Sequence, residues 1–171
     1  MPCCTNFYNI ASIVNMESKT YKLHRQAVIA QPLGKVFEFF SKAENLELLT
    51  PSWLKFKILT PLPIKMVKGV LIDYQIKLIG LPMNWKTEIS EWQPPHFFID
   101  TQLKGPYTKW VHKHHFKEVE KGTEITDIVN YQLPGGLLAP AAHSLIVKHQ
   151  LKSIFDFRTR IIKEYFDSAD A

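Results

Sequence analysis

The chain has almost no cysteine. Cys3 and Cys4 are the two it has, adjacent and near the start. No framework of distant disulfides can form from them, which agrees with a reducing compartment. A metal or redox role for the pair has no third cysteine and no CxxC spacing behind it. Long apolar runs are missing too, since nothing approaches the roughly 18 residues that a spanning helix needs. The opening stretch MPCCTNFYNIASIVN has neither a basic n-region nor a continuous apolar region. It reads as a poor secretory signal, and a cytoplasmic location is expected. GxGxxG, a Walker loop and GxSxG are all absent. Serines are few and none sits in a nucleophile setting, so nucleophilic catalysis has no candidate. The net charge is +5. The lysines are scattered along the chain, however, and no RGG or KR-rich tract gathers them. Nucleic acid is therefore not expected as a partner.

What is present is ordinary for a folded domain. Hydrophobic residues make up 46% and charged residues 22% of 171, enough for one sizeable core. Residues 1–18 read as an N-terminal extension, because Met16 opens MESKTYKLHRQ, which looks like a natural start. Residues 19–168 read as a single domain. A first strand runs from Tyr21 to Ala30. Pro32 suits the first turn of a helix whose apolar face is Val36, Phe37, Phe39 and Phe40. Asn45, Leu46 and Leu49 continue into a second short helix, ended by Thr50-Pro51. Strand patterns then follow over Trp53–Ile58, Gly69–Ile79, Met83–Trp92, Phe97–Leu103, Tyr107–Val119 and Thr123–Leu133. After Pro134-Gly135-Gly136 everything reads as one long helix, with Leu145, Val147, Leu151, Ile154, Phe155, Ile161, Ile162 and Tyr165 at helical spacing. The expected architecture is α+β: a curved antiparallel sheet of about six or seven strands, wrapped on the long C-terminal helix, with two short helices after strand 1. Twisted strands curl such a sheet, and a helix across its mouth encloses volume.

Three stretches carry a family resemblance: QPLGKVFEFFSKAENLELLTPSWLKF, WKTEISEWQPPHFFIDTQLKGPYTKWVHKHHF, and GTEITDIVNYQLPGG with IFDFRTRIIKEYF. Together with the element order, they resemble the START/SRPBCC superfamily of helix-grip proteins. That group includes birch-pollen-allergen-like proteins, polyketide cyclase/aromatases and lipid-transfer domains. The segments look in particular like bacterial SRPBCC-family ligand-binding proteins. The resemblance implies the fold strongly and the chemistry weakly, because this fold hosts carriers, cyclases and regulators alike.

The most informative segment is Trp110, His112, His114 and Phe116. These alternate along one strand and share a face. Lys109, Lys113 and Lys117 occupy the other face, so the aromatic and histidine face points inward. Two inward histidines suit a cavity wall, the grip on a polar ligand group, or a metal pair lacking a recognisable third ligand. Asp127 and Glu88 are the available guesses for a third, and no metal or cofactor is expected. Asp127 lies on an apolar face with Ile125, Val129 and Tyr131, and an unpaired carboxylate there would be costly. Arg158 interrupts the apolar stripe of the last helix, either snorkelling or reaching an anion. The aromatic residues are candidates for both core and cavity wall.

The expected ligand-binding set is Tyr74, Trp85, Trp110, His112, His114, Phe116, Tyr131, Phe155 and Arg158. The leading functional expectation is binding or carriage of a small hydrophobic or amphipathic ligand in an internal cavity of about 300–1,000 Å³, without catalysis. One alternative is a cyclase/dehydratase-type enzyme moving protons with His112, His114 and Asp127. Another is an accessory module acting beside a partner protein. The ligand's identity and the oligomeric state are not legible.

Overall fold

The computed structural model describes residues 18–78 and 80–168. The first seventeen positions of the expected extension lie outside the described residues. The chain folds as β1 (Tyr21–Ile29), α1 (Leu33–Phe40), α2 (Asn45–Leu48), β2 (Lys57–Ile58), β3 (Leu71–Leu78), β4 (Leu81–Gln93), β5 (Phe97–Lys104), β6 (Lys109–Val119) and β7 (Gly122–Gln132). After β7 come a 3-10 turn, a one-turn helix α3 (Ala139–Ala142), a π-turn over His143–Val147, and α4 (Lys148–Ser168). The strands form one antiparallel sheet in the order β1-β7-β6-β5-β4-β3-β2. Consecutive strands are neighbours from β2 to β7, and β1 closes on β7, with Tyr21 opposite Tyr131 and Ile29 opposite Thr123. The expected helix-grip architecture is present, with seven strands and two short helices after the first.

Two expectations on local structure need correction. Trp53 and Leu54 do not start a strand. They sit in a 3-10 turn over Ser52–Leu54 after Pro51, and only Lys57 and Ile58 pair with β3. Pro51 and the left-handed Lys55 (φ 47) prevent regular pairing before that point. The C-terminal helical segment is also less regular than one helix. Pro140 stands in its first α-turn and a π-turn follows, so unbroken α-helix begins only at Lys148. The wider turn over His143–Val147 interrupts the α-helical hydrogen-bond ladder, and Pro140 sits in the first turn where its missing N–H costs no bond.

The fold's tightest turn depends on a glycine. Gly122, between β6 and β7, has φ 122. A Cβ there would collide with the carbonyl oxygen of Ile29 on β1. Beside it, Thr123 Oγ1 donates to Gln31 O at 2.8 Å and ties β7 to the segment leading into α1.

The concave face is filled by two apolar groups. Phe37, Phe39 and Phe40 of α1 pack with Phe98, Phe116, Ile125, Ile162 and Phe166. At the other end, Trp85, Trp110, Tyr131, Leu151 and Phe155 pack together. Helix α4 bridges both, burying Leu151, Phe155, Ile162 and Phe166 along one stripe.

The reading of residues 1–15 as a dispensable extension carries a first prediction. Their deletion is expected to shift the melting temperature by less than a few degrees in a thermal melt, and a larger drop would make the segment part of the fold.

Candidate functional site

Strand parity builds the site. On β6, Trp110, His112, His114 and Phe116 are all buried, while Lys109, His115 and Lys117 are exposed. On β5 the inward parity is Phe98 and Asp100, and on β7 it includes Ile125, Asp127 and Val129. Register then sets Asp100 opposite His112 and Asp127 opposite His114. Two histidines and two carboxylates therefore meet on the concave face.

The contacts cross diagonally. His112 Nε2 donates to Asp127 Oδ1 at 2.9 Å, and His114 Nε2 donates to Asp100 Oδ2 at 2.9 Å. The directly opposed pairs are also close. His112 Nδ1 is 3.4 Å from Asp100 Oδ2, and His114 Nδ1 is 2.8 Å from Asp127 Oδ1. The latter nitrogen is off the line of N–H donation and has no hydrogen-bond partner despite its burial. The two imidazoles lie side by side with centroids 3.7 Å apart and planes tilted by 40°, and Phe98 stacks on His114 at 4.2 Å.

Two imidazoles this close repel when both are charged, and the quartet divides its protons accordingly. Burial opposes charging His114, but the hydrogen bond to Asp100 and the charges of Asp127 and Asp100 win and raise its pKa above the ordinary 6.5. Burial and the neighbouring His114 charge lower that of His112 below 6.5, against the pull of both carboxylates. Burial also opposes ionisation of Asp100 and Asp127, but both histidines hold their pKa values below the ordinary 3.8, Asp127 the further. Charge is thus favoured on the two carboxylates and His114 and disfavoured on His112, whose Nδ1 lies 3.4 Å from Asp100 Oδ2. Following the histidine ring protons by NMR against pH should show His114 titrating above 6.5 and His112 below it. A common transition near 6.5 for both would contradict this arrangement.

The quartet lies at the wall of a cavity between the sheet and α4. Asp100, His112 and His114 face it, while Asp127 stands behind the histidines and positions them. The remaining lining is mostly apolar and aromatic, from Phe40 and Leu46 near α1 and α2 to Trp85, Tyr107 and Leu151 at the far end. Its volume is about 160 Å³, smaller than the expected range because large rings from β3, β4, β6 and α4 project into the concave face. Two donors of the lining are buried without a partner, Trp85 Nε1 and Arg158 Nε. The Arg158 guanidinium lies 5.2 Å from the Phe155 ring centroid, and its positive charge helps keep Asp100 ionised. Tyr74 donates to or accepts from Thr87 Oγ1 at 3.2 Å, and burial pushes its phenol pKa up, so it stays protonated.

Seven of the nine expected lining residues do line this cavity: Tyr74, Trp85, Trp110, His112, His114, Phe155 and Arg158. Phe116 and Tyr131 do not. Phe116 packs among Phe37, Phe40 and Phe98, and the Tyr131 hydroxyl pairs with His143 Nε2 at 2.9 Å. Glu88 is also excluded as a partner of the histidines, because its neighbours Thr87 and Ile89 take the inward parity. Asp100 was not anticipated. Its signal is available in the sequence, since it alternates with the apolar Phe98 along β5. It supplies a third metal-capable group, with atoms of Asp100, His112 and His114 within 4.8 Å of one another. His112 Nδ1 and His114 Nε2 both approach Asp100 Oδ2, and His112 Nε2 and His114 Nδ1 both approach Asp127 Oδ1, so each carboxylate bridges the two rings.

Among the described residues no helix is long and apolar enough to cross a membrane. Solved structures share the fold. The Zhui aromatase/cyclase of Streptomyces sp. R1128 superposes with TM-score 0.71 at 11% identity, covering 90% of this chain and 97% of its own. A protein of Thermus thermophilus gives 0.68 at 14%, covering 88% and 100%. The major latex-like protein 151 of Panax ginseng gives 0.63 at 16%, covering 86% and 97%. At these identities the likeness is one of fold. No curated protein matches the chain in sequence. The family model described as polyketide cyclase / dehydrase and lipid transport matches residues 29–153. With the helix-grip fold in place, the chain belongs to that family, within the SRPBCC superfamily.

Proposed function

We propose that this protein binds a small, compact hydrophobic or amphipathic ligand in the cavity between its sheet and α4. The observation that carries this reading is the composition of the cavity wall. It is mostly aromatic and aliphatic, with Lys42, Asn45, Thr50 and Thr87 among its polar members, and it presents the Asp100–His112–His114 face and the unpartnered Trp85 Nε1 and Arg158 Nε. Ligand pockets combine an apolar lining with a few convergent polar groups in this way. An apolar cavity of roughly 150 Å³ accommodates a benzene-sized molecule, so a ligand of one or two rings suits the present volume better than a long acyl chain. Asp100, His112 and His114 would hydrogen-bond a hydroxyl of the ligand, and Trp85 and Arg158 would donate to its oxygens.

A second reading, proton transfer of the cyclase/dehydratase kind, is favoured by one observation. The adjacent histidines have pKa values displaced in opposite directions, which is how an acid and a base are set side by side. Native mass spectrometry of freshly purified protein tests the first reading. A co-purified small molecule, or stoichiometric uptake of a hydrophobic fluorophore displaced by it, is expected. Absence of both would sink it. Recovery of a chemically altered ligand after incubation would favour the enzyme.

A further inference from the structure

The lysines that look scattered in the sequence are gathered by the fold. The hairpin between β3 and β4, the turn between β5 and β6, the end of β7 and the start of β1 all lie at one end of the sheet. Register fixes this: Lys77 pairs with Pro82, Lys86 with Lys104, Lys109 with Gln132, and Tyr21 with Tyr131. The segment before α4 lies there as well. Tyr21 stacks on His143 at 3.6 Å, and the Lys19 ammonium sits 5.3 Å from the Tyr21 ring centroid. Lys77 and Gly80 also share a shallow depression with Trp53, Lys55 and Gln150 of α4.

This pole has an unusual surface. Leu137, Leu138 and Leu145 are 80%, 76% and 75% exposed. Leu138 and Leu145 lie in the same short helical segment before α4, both largely exposed. Leu81 and Leu103 are exposed on the adjoining strand ends, and Trp53 beside them. Such a concentration of exposed large apolar side chains marks an interaction surface. The charge around it has one sign. Lys77, Lys104, Lys109 and Lys148 are exposed there, and segments 76–85, 101–117 and 133–155 contain no Asp or Glu.

We propose that this pole docks on an anionic membrane surface. Leu137, Leu138 and Leu145 would enter the boundary between headgroups and acyl chains, while the lysines meet lipid phosphates. Leucines ringed by lysine with no acid among them fit that partner, since apolar burial and attraction to anionic lipid add. A second copy of the chain would bring the same positive charge against itself. The pole adjoins the cavity. Tyr107 and Leu151 line the cavity, two and three residues from Lys109 and Lys148. A bilayer docked there would put a reservoir of dissolved apolar molecules beside the binding site. The surface itself does not depend on what the cavity holds.

Co-sedimentation of the full chain with vesicles tests this. Mixed phosphatidylcholine/phosphatidylglycerol vesicles should bind saturably, pure phosphatidylcholine vesicles about tenfold or more weakly, and high salt should reduce the difference. The double variant Leu138→Asp/Leu145→Asp should lose about tenfold or more in vesicle affinity, with an unchanged circular dichroism spectrum and fluorophore binding. Lys109→Glu/Lys148→Glu should lose preference for anionic vesicles. Equal binding to both vesicle types, or vesicle binding unaffected by both double variants, would overturn the proposal. Loss of vesicle binding on removal of residues 1–15 alone would also overturn it. So would a dimer in analytical ultracentrifugation that Leu138→Asp dissociates. Failure of fluorophore binding with intact vesicle binding would count against the cavity reading alone.

Discussion

Replacing Asp127 by alanine is expected to cost about 3–5 kcal/mol of stability, the usual effect of removing one member of a buried ion pair. The carboxylate holds His112 Nε2 at 2.9 Å and lies 2.8 Å from His114 Nδ1. Both rings are almost fully buried and have no water to turn to. Without Asp127, His114 loses much of the reason to carry its charge, and two adjacent imidazoles face Asp100 alone. The loss is read in urea unfolding as a lowered midpoint at unchanged slope. The sign of its pH dependence follows from the depressed pKa. The stabilisation by Asp127 is fully present above its ordinary pKa of 3.8 and is lost as the pH falls through the lower folded value. The gap between wild type and Asp127→Asn should therefore close on acidification below 3.8. An Asp127→Ala protein as stable as wild type would remove the quartet from this account.

The second large effect separates function from stability. Replacing all four members together, as Asp100→Val, His112→Leu, His114→Leu and Asp127→Val, removes every buried charge of the quartet at once. Apolar replacement of a whole buried ionic group is often neutral or stabilising. This variant should accordingly recover to within about 1–2 kcal/mol of wild type, unlike the single Asp127→Ala change. Its cavity would be far more apolar. A ligand with a hydroxyl or carbonyl group should bind about 10–100-fold more weakly, since each buried polar partner contributes about 1–3 kcal/mol. An apolar ring without such a group should bind as before. Equal binding of the polar ligand to wild type and quadruple variant would assign the quartet a purely structural role. Single His112→Ala or His114→Ala changes are poorer probes, because each strands a carboxylate as well as opening space, so stability and binding fall together.

The contrast between what the sequence discloses and what it hides has a physical basis. The strand that positions the histidines is legible because lysines mark its wet face at Lys109, Lys113 and Lys117, which forces Trp110, His112, His114 and Phe116 inward. The same parity applies to Asp127 among Ile125 and Val129. Asp100 is harder to read, since it opens a polar run with Thr101 and Gln102 and only Phe98 marks the inner face. Its role emerges from register, which places it directly across from His112. Register between distant strands is a property of the folded sheet, not of any local pattern. Phe116 and Tyr131 have the correct parity but sit at the two ends of the concave face, where α1 and the segment before α4 cover them. Inward direction is local information, whereas distance from the cavity is not. The basic pole is hidden for the same reason. Lys77, the Lys104–Lys109 turn and Lys148 are far apart in sequence, and only strand register and the placement of α4 bring them to one end.

The central claim is that a small ligand enters the cavity and touches the His–Asp wall. Titration with 2-naphthol, followed through tryptophan and histidine side-chain resonances, tests it most directly. The account predicts saturable, one-to-one binding, with the largest shifts at the Trp85 Nε1–H and the His112 and His114 rings, and little change at the exposed Trp53. Shifts that never saturate, or that concentrate at Trp53 and leave Trp85, His112 and His114 unmoved, would contradict it.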